Sequence, residues 1–180
     1  MYEYLWYVCY GSNISRDRFN MYMSKSSDSK NIISEKQCML DYKLYFGRWS
    51  NKWSGGVCYL DDSDIKSNQT YAKMYLISKT QFLDLLAMEN GHNPGDLNID
   101  LEFEKEVVVE GLSNYDKLIK LGEFDGYPKI TFTSSEIKEY NDPSESYIET
   151  ISKGLVETFD MTKEKSTEYL ESNIEKSLER

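Results

Sequence analysis

The segment that most restricts the fold of this chain is residues 2–10, YEYLWYVCY. Apolar or aromatic side chains occupy both alternating sets of positions in it, and Glu3 is its one charged residue. The two sets are Tyr2, Tyr4, Trp6, Val8 and Tyr10, and Leu5, Tyr7 and Cys9. A period of two indicates a β-strand, and apolar residues on both faces are typical of a central strand that is covered on both sides. The segment therefore predicts a central buried strand, which ends at the turn signal Gly11-Ser12-Asn13.

The rest of the chain alternates between short strands and helices. Further strands are predicted over residues 37–47, 57–60, 71–77, 99–110 and 129–133. Helices are predicted from an N-cap at Ser15 or Asn13 to about Met21, from Ser78 to Gly91, and over 114–121, 142–156 and 163–178. Ser78 with Gln81 three residues later is a capping-box pattern, which marks the start of a helix. Strands of uneven spacing with helices between some of them predict an α+β fold with a mainly antiparallel or mixed sheet, open or closed into a barrel.

Charge and hydropathy restrict the partners and the location of the protein. The chain has 21 Lys and Arg against 31 Asp and Glu, which gives a net charge of −10. Nucleic acids and anionic membranes are bound through a basic face, so we expect neither as a partner. No apolar run reaches the roughly 20 residues of a membrane helix, and the apolar N-terminus lacks the basic region of a signal peptide. We therefore expect a cytoplasmic protein.

One histidine and three cysteines limit the chemistry that side chains of this protein can perform. The number of cysteines is odd, and no two of them have a CxxC spacing. We therefore expect reduced thiols that pack as small apolar side chains at Cys9, Cys38 and Cys58. With His92 alone the chain cannot build a His-rich site, and we expect no metal ion or other cofactor. Catalysis by a Ser-His or Cys-His pair would have to use His92, which we interpret as a loop residue.

The first candidate site is the turn Tyr10-Gly11-Ser12-Asn13-Ile14. A tight glycine turn between a strand and a helix N-terminus can direct several backbone N–H groups into one concavity. Their partial positive charge suits a carboxylate, or an oxyanion that develops on a carbonyl group. The same residues also occur in an ordinary strand-turn-helix corner, and taken alone they favour that interpretation.

The second candidate is Glu89, near the C-terminus of the helix that begins after Ser78. The apolar residues Phe82, Leu85 and Leu86 lie on the same face of this helix. A carboxylate at the edge of an apolar stripe can be partly buried and can act as a general base. The alternative is an ordinary surface glutamate near a helix end, which this residue alone favours.

The third candidate is the segment from Trp49 to Gly56, which carries a second tryptophan, Trp53. Paired aromatic side chains and glycines on a loop can form the wall of a pocket for a small ligand. The same composition also suits an apolar lid on one end of a sheet, and the sequence supports both interpretations equally.

Five segments carry a resemblance that no single motif would establish. They are Tyr10 to Ile14; Leu40 to Gly47; Trp53 to Val57; Lys73 to Ile77 with the helix to Glu89; and Pro143-Ser144 with Tyr147, Ile151 and Gly154. In this order they resemble five features of the gamma-glutamylcyclotransferase-like (AIG2-like) family. These features are its Tyr-Gly-Ser-Asn-Leu loop, its second strand, its Trp-x-Gly-Gly segment, the strand and helix that deliver its catalytic glutamate, and its late Pro-Ser-x-x-Tyr helix. The resemblance covers about residues 4–158.

The resemblance implies a fold, an activity and a set of site residues. The fold is a small mixed β-barrel surrounded by helices. The activity is the cyclisation of a gamma-glutamyl amine or gamma-glutamyl amino acid to 5-oxoproline and the free amine, without a metal or an enzyme nucleophile. Glu89 would be the general acid and base. The remaining implied residues bind the small-molecule substrate: Gly11, Ser12 and Asn13 through their N–H groups, Tyr10, Ile14 and Tyr147 around the glutamyl group, and Trp53 on the side of the leaving group.

The resemblance also predicts the organisation of the chain and leaves two alternatives for its function. We expect one domain over residues 1–158 and a helical extension over residues 159–180, with a homodimer as a possible assembly. Residues 92–104 contain no tyrosine, although one often follows the glutamate in the family. This difference motivates the first alternative to the enzyme, a catalytically silent protein that binds a small carboxylate or a partner. The second alternative is an amide hydrolase or acyl transferase on the same scaffold.

Overall fold

The computed structural model describes residues 2–61, 63 and 69–179. The strands are β1 (Tyr4–Cys9), β2 (Ser34–Leu40), β3 (Lys43–Ser50), β4 (Gly55–Asp61), β5 (Thr70–Ser78), β6 (Glu106–Val108), β7 (Lys117–Phe124) and β8 (Tyr127–Thr133). The helices are α1 (Arg16–Met23), α2 (Lys79–Glu89), α3 (Glu145–Phe159) and α4 (Lys163–Leu178), and a single 3-10 turn covers Ser12–Ile14. None of these helices combines the length and the apolar character that are needed to cross a membrane.

Six strands form one mixed sheet in the order β2-β5-β1-β8-β7-β6. Strand β1 is parallel to β8, with Trp6 opposite Lys129, whereas β7 pairs antiparallel with both β8 and β6. Strand β1 lies between β5 and β8, and its residues Leu5–Cys9 are all buried. The prediction of a central strand covered on both faces is therefore confirmed, as is the α+β class with a mixed sheet. Closure of the sheet into a barrel stays a prediction.

The chain divides into two compact units. The first contains the described residues of 1–8, 20–36 and 74–135, and the second those of 9–19, 37–73 and 136–180. These units do not coincide with the division at residue 158 that we expected from the resemblance, and that division stays a prediction. Helix α4 lies within the expected extension.

Aromatic rings form the core of the first unit. Tyr7 on β1 stacks on Phe132 of β8 with their ring centroids 5.3 Å apart. Phe82 on α2 lies 6.0 Å from Tyr7 and 6.1 Å from Phe132, and Tyr115 contacts Phe132 edge-on at 5.3 Å. Each pair lies within the range at which aromatic rings attract each other beyond simple burial. These contacts fix helix α2 on the sheet.

Asp84 holds two loops of the first unit against helix α2. Its carboxylate is buried and accepts hydrogen bonds from the hydroxyls of Ser26 and Ser27 at 2.7 and 2.8 Å. It also accepts the backbone N–H groups of Ser27 and Gly95, both at 2.7 Å. Hydrogen bonds to a charged acceptor are the stronger kind, so four of them on one buried carboxylate fix this part of the unit.

The core of the second unit lies where α3 and α4 pack against the antiparallel pair β3–β4 and the first residues of β5. Tyr71 on β5 contacts Phe159 and Tyr169 edge-on, at centroid distances of 4.8 and 4.9 Å. The hydroxyl of Ser177 on α4 accepts the N–H group of Phe46 on β3 at 3.2 Å. Helix α4 is therefore an integral part of this unit.

The structure corrects three of the predicted elements. Residues 114–121 were expected to be a helix, but Lys117–Phe124 form strand β7, since pairing along β8 outweighs a weak helical pattern in a short apolar run. Strand 37–47 is two strands, β2 and β3, separated at residues 41 and 42. Of the strand expected over 99–110, only Glu106–Val108 pair. By contrast, α2 begins at the expected capping box of Ser78 and Gln81.

Replacing Asp84 tests its role as the anchor of the two loops. Asp84→Ala leaves four donors without their acceptor, and we expect the free energy of unfolding to fall by about 3 kcal/mol. The matched control is Asp125→Asn, in the exposed turn between β7 and β8, which should change stability by less than about 0.5 kcal/mol. Urea unfolding measures both values. Equal stability of the two variants would contradict the role assigned to Asp84.

Candidate functional site

The candidate residues of the second unit begin with the turn after β1. Ile14 and Ser15 donate their N–H groups to the carbonyl oxygens of Gly11 and Ser12, both at 3.1 Å, and thereby close the 3-10 turn. Ser15 then adopts an extended conformation with ψ 120°, and helix α1 begins at Arg16. Of the two N-caps predicted for this helix, Ser15 is the one that directly precedes it, and the Ser15 hydroxyl oxygen accepts the N–H group of Arg18 at 3.5 Å. The N–H groups of Gly11, Ser12 and Asn13, which come before Ile14 in the chain, are the candidates for holding an anion.

Tyr147 on helix α3 reaches the start of this turn. Its hydroxyl oxygen accepts the N–H group of Cys58 on β4 at 3.1 Å. A Cβ atom on Gly11 would lie 3.0 Å from the Tyr147 hydroxyl and 3.2 Å from Cβ of Cys58. Residue 11 is therefore a glycine because a side chain would meet both neighbours. Tyr10 and Tyr147 are both buried.

The glycine pair Gly55-Gly56 positions the helix that carries Tyr147. A Cβ on Gly56 would lie 2.0 Å from the carbonyl oxygen of Asn141, and one on Gly55 would lie 2.6 Å from the backbone nitrogen of Ser144. Gly56 also donates its N–H group to the carbonyl oxygen of Asp142 at 2.8 Å. Ser144 then caps α3, accepting the N–H group of Tyr147 at 3.3 Å. The two glycines thus let the segment before α3 lie directly on β4.

A second close approach brings α3 onto the turn itself. A Cβ on Gly154 would lie 2.4 Å from the backbone nitrogen of Ser15 and 2.6 Å from the carbonyl carbon of Ile14. Such distances are too short for any Cβ, so a larger residue would push the helix away from the turn. Gly154 therefore sets the distance between α3 and the candidate anion-binding turn.

Trp53 contacts both Tyr147 and Arg18. The ring of Trp53 lies 4.8 Å from that of Tyr147, at an angle of 56°. Cζ of Arg18 lies 5.4 Å from the centroid of the Trp53 ring, within the range of a cation–π contact. Arg18 is only 8% exposed although it carries a charge. Sequence analysis missed Arg18 because nothing in the local pattern separates it from Arg16.

The cysteines are packed as small apolar side chains, as expected for two of the three. Cys9 and Cys58 are buried, whereas Cys38 is partly exposed. Burial raises the pKa of Cys58 to about 12, and it raises the pKa of Cys9 even further. Both therefore carry protons at neutral pH, and a protonated thiol is a poor nucleophile.

Glu89 lies in the first unit, as the last residue of α2, and is half-buried. The next residue, Asn90, is buried, and its amide group makes four hydrogen bonds. The amide nitrogen donates to the carbonyl oxygens of Leu86 and Tyr115 at 3.0 and 3.1 Å. The amide oxygen accepts the N–H groups of Asn114 and Tyr115 at 2.9 and 3.0 Å.

These bonds fix the end of α2. The side-chain amide of Asn114 also donates to the carbonyl oxygen of Glu89 at 3.1 Å. The loop at residues 114 and 115 is thus attached both to the last residue of the helix and to the residue after it, and these bonds hold the backbone that carries Glu89. Asn90 was absent from the sequence-based set because its partners lie 24 and 25 residues away along the chain.

The remaining candidates divide clearly between the units. Glu89 belongs to the first unit, and seven candidates belong to the second: Tyr10, Gly11, Ser12, Asn13, Ile14, Trp53 and Tyr147. Trp49 is 54% exposed on β3, and Trp53 is half-buried in the turn between β3 and β4. His92 is exposed in the turn after α2, as expected of a loop residue.

Within residues 2–61, 63 and 69–179, no three His, Cys, Asp or Glu side chains group as metal ligands would.

Gly154→Ala tests the close approach of α3 to the turn. In an ordinary helix this change stabilises the protein by about 0.5–1 kcal/mol. Here the added methyl group meets the backbone, so we expect a loss of about 1–3 kcal/mol in the free energy of unfolding. Glu149→Ala, on the exposed side of the same helix, is the control and should have little effect. Stabilisation by Gly154→Ala in urea unfolding would show that the approach is looser than described.

The chain is similar in sequence to part of a larger protein. No family model matches it. Histone deacetylase 5 of Arabidopsis thaliana is 27% identical over 209 aligned residues, which cover 97% of this chain and 31% of that protein. The chain therefore spans about a third of the length of this curated relative.

Solved structures show what the architecture is similar to. A gamma-glutamyl cyclotransferase matches with a TM-score of 0.56 and 19% identity, over 87% of this chain and 80% of that one. An uncharacterized protein from Homo sapiens matches with a TM-score of 0.59 and 18% identity, over 92% and 87% of the two chains. YkqA from Bacillus subtilis matches with a TM-score of 0.58 and 18% identity, over 96% of this chain but 54% of YkqA. This chain therefore has the fold of the solved gamma-glutamyl cyclotransferase, which confirms the fold that the sequence resemblance predicted.

Proposed function

We propose that this protein is a gamma-glutamylcyclotransferase-like enzyme, a member of the family that its motifs resemble. The observation that carries the proposal is the turn Gly11–Ile14, which Tyr147 and Gly154 of helix α3 enclose on a fold shared with a gamma-glutamyl cyclotransferase. The substrate class is a gamma-glutamyl amine or gamma-glutamyl amino acid. The products are 5-oxoproline and the free amine or amino acid.

The proposed reaction needs no group that the chain lacks. The α-amine of the glutamyl group attacks the γ-carbonyl carbon of the same molecule, a C–N bond forms within the new ring, and the bond to the leaving nitrogen breaks. No water is consumed. Attack within one molecule gains much of its rate from holding the substrate in the reactive conformation. A protonated Cys58 or Cys9 has no part in such a reaction.

Glu89 is proposed as the residue that moves the protons. The attacking amine must lose a proton and the leaving nitrogen must gain one, so a single carboxylate can serve first as base and then as acid. The hydrogen bonds of Asn90 and Asn114 hold the backbone at residue 89. A fixed position of this kind suits a general acid and base, since proton transfer depends on geometry.

The turn after β1 is proposed to hold the negative charge of the substrate. The N–H groups of Gly11, Ser12 and Asn13 would bind its carboxylate or the oxyanion of the tetrahedral intermediate. Tyr10, Ile14 and Tyr147 would enclose the glutamyl group, and Trp53 would lie on the side of the leaving group. These assignments rest on the resemblance and on the contacts of the second unit.

The proposal is tested by mass spectrometry of the protein with gamma-glutamyl amines, gamma-glutamyl dipeptides and glutathione. We expect 5-oxoproline from at least one of them. Glu89→Gln should lower that rate by about 100-fold or more, because general acid–base catalysis contributes about that much. Glu110→Gln, an exposed change of the same chemistry, is the control and should keep full activity.

Other outcomes would contradict specific parts of the proposal. Full activity of a folded Glu89→Gln variant would remove Glu89 from the mechanism. Free glutamate in place of 5-oxoproline would indicate an amide hydrolase. Thermal stabilisation by gamma-glutamyl compounds without any turnover would indicate a protein that binds such ligands and is catalytically silent.

A further inference from the structure

The charge of Arg18 lies at a place where it can select the substrate. Arg18 follows the anion-binding turn by four residues, on the first turn of α1. Its guanidinium group lies over the ring of Trp53, and the same ring contacts that of Tyr147 at a centroid distance of 4.8 Å and an angle of 56°. Arg18 is thus a buried cation that contacts Trp53, and Trp53 in turn contacts Tyr147, one of the residues proposed to enclose the glutamyl group.

A guanidinium group in this setting favours an anionic partner. Its planar set of N–H donors matches the two oxygens of a carboxylate. Burial lowers the local dielectric constant, which strengthens its attraction to an anion and its repulsion of a cation. A carboxylate placed near Trp53 would therefore be bound more tightly than a neutral group, and an ammonium group would be disfavoured.

We propose that Arg18 binds a carboxylate on the leaving group, so that the substrate is a gamma-glutamyl amino acid and not a gamma-glutamyl amine. This inference rests on the proposed function, which places Trp53 on the side of the leaving group. In an amino acid leaving group the carboxylate is one carbon away from the leaving nitrogen. In a simple amine that position is occupied by hydrogen or an alkyl group, and the guanidinium gains nothing from it.

A matched pair of substrates isolates the effect of that carboxylate. Gamma-glutamyl-alanine and gamma-glutamyl-ethylamine share the glutamyl group and differ only in the carboxylate of the leaving group. A charge-assisted, bidentate contact is worth about 10- to 100-fold in binding. For the wild-type protein we therefore expect kcat/KM to be about 10- to 100-fold higher for gamma-glutamyl-alanine, measured as 5-oxoproline formed.

Variants show whether Arg18 causes this preference. Arg18→Gln should remove the preference by lowering kcat/KM for gamma-glutamyl-alanine while leaving the value for gamma-glutamyl-ethylamine nearly unchanged. Arg18→Lys keeps the charge without the planar donors and should retain part of the preference. Arg16→Gln, the same change two residues earlier in α1, is the control and should behave as the wild type. The ethylamine substrate also reports folding, since a misfolded variant loses activity on both substrates.

Three results would overturn the inference, and they are distinguishable from failure of the proposed function. Equal kcat/KM for the two substrates in the wild-type protein would show that no carboxylate is recognised on the leaving group. A stable Arg18→Gln variant that keeps the preference would assign it to another residue. An equal loss on both substrates, with an unchanged melting temperature, would mean that Arg18 binds the glutamyl carboxylate instead. Absence of 5-oxoproline from either substrate would overturn the proposed function itself.

Discussion

The second unit depends on how closely helix α3 approaches the turn after β1. Residue 154 can face the backbone of Ile14 and Ser15 only because it has no Cβ. Tyr147 lies seven residues earlier, which is about two helical turns, and therefore on the same face of α3. Gly154 sets the distance between helix and turn, and Tyr147 fills the space near Gly11. A change in that distance would move the ring of Tyr147. The ring of Trp53 and the guanidinium group of Arg18, which are connected to it by contacts, would move as well.

The chemistry proposed for this protein agrees with what its side chains offer. The chain has one histidine, which is exposed, and its buried cysteines keep their protons at neutral pH. An exposed histidine and buried, protonated thiols do not suit nucleophilic catalysis by a Ser-His or Cys-His pair. A substrate that carries its own nucleophile needs only to be folded, to have its negative charge held and to have two protons moved. Backbone N–H groups and one carboxylate can supply these functions.

Local signals in the sequence predicted the parts of the fold that local chemistry determines. The two-sided apolar pattern of residues 2–10 located the central strand, and Ser78 with Gln81 located the start of α2. The segment at 114–121 was predicted wrongly, since its strand exists only through pairing with β8. Ser15, one of the two residues predicted to cap the next helix, directly precedes α1, which begins at Arg16.

The candidate site was predictable only where a motif carried it. The family resemblance named Glu89, the turn from Tyr10 to Ile14, and Tyr147 and implied their chemical roles. It did not explain why the fold needs particular residue types around them. The structure supplies reasons for the glycines at 11 and 154, which lie against backbone or side chains from distant parts of the chain. The position of Arg18 also depends on a distant part of the chain, since its neighbour Trp53 is 35 positions away and no local pattern marks the contact.

The central claim is that the α-amine of the substrate, and not water, attacks the γ-carbonyl carbon. The most direct test is to run the reaction in water labelled with ¹⁸O and to identify the products by mass spectrometry. If the α-amine of the substrate is the attacking group, the protein should release 5-oxoproline and the free amine or amino acid in equal amounts, with no ¹⁸O in the 5-oxoproline. If water attacks instead, mass spectrometry will show glutamate with one ¹⁸O atom in its γ-carboxylate. That second result would contradict the account of an intramolecular cyclisation.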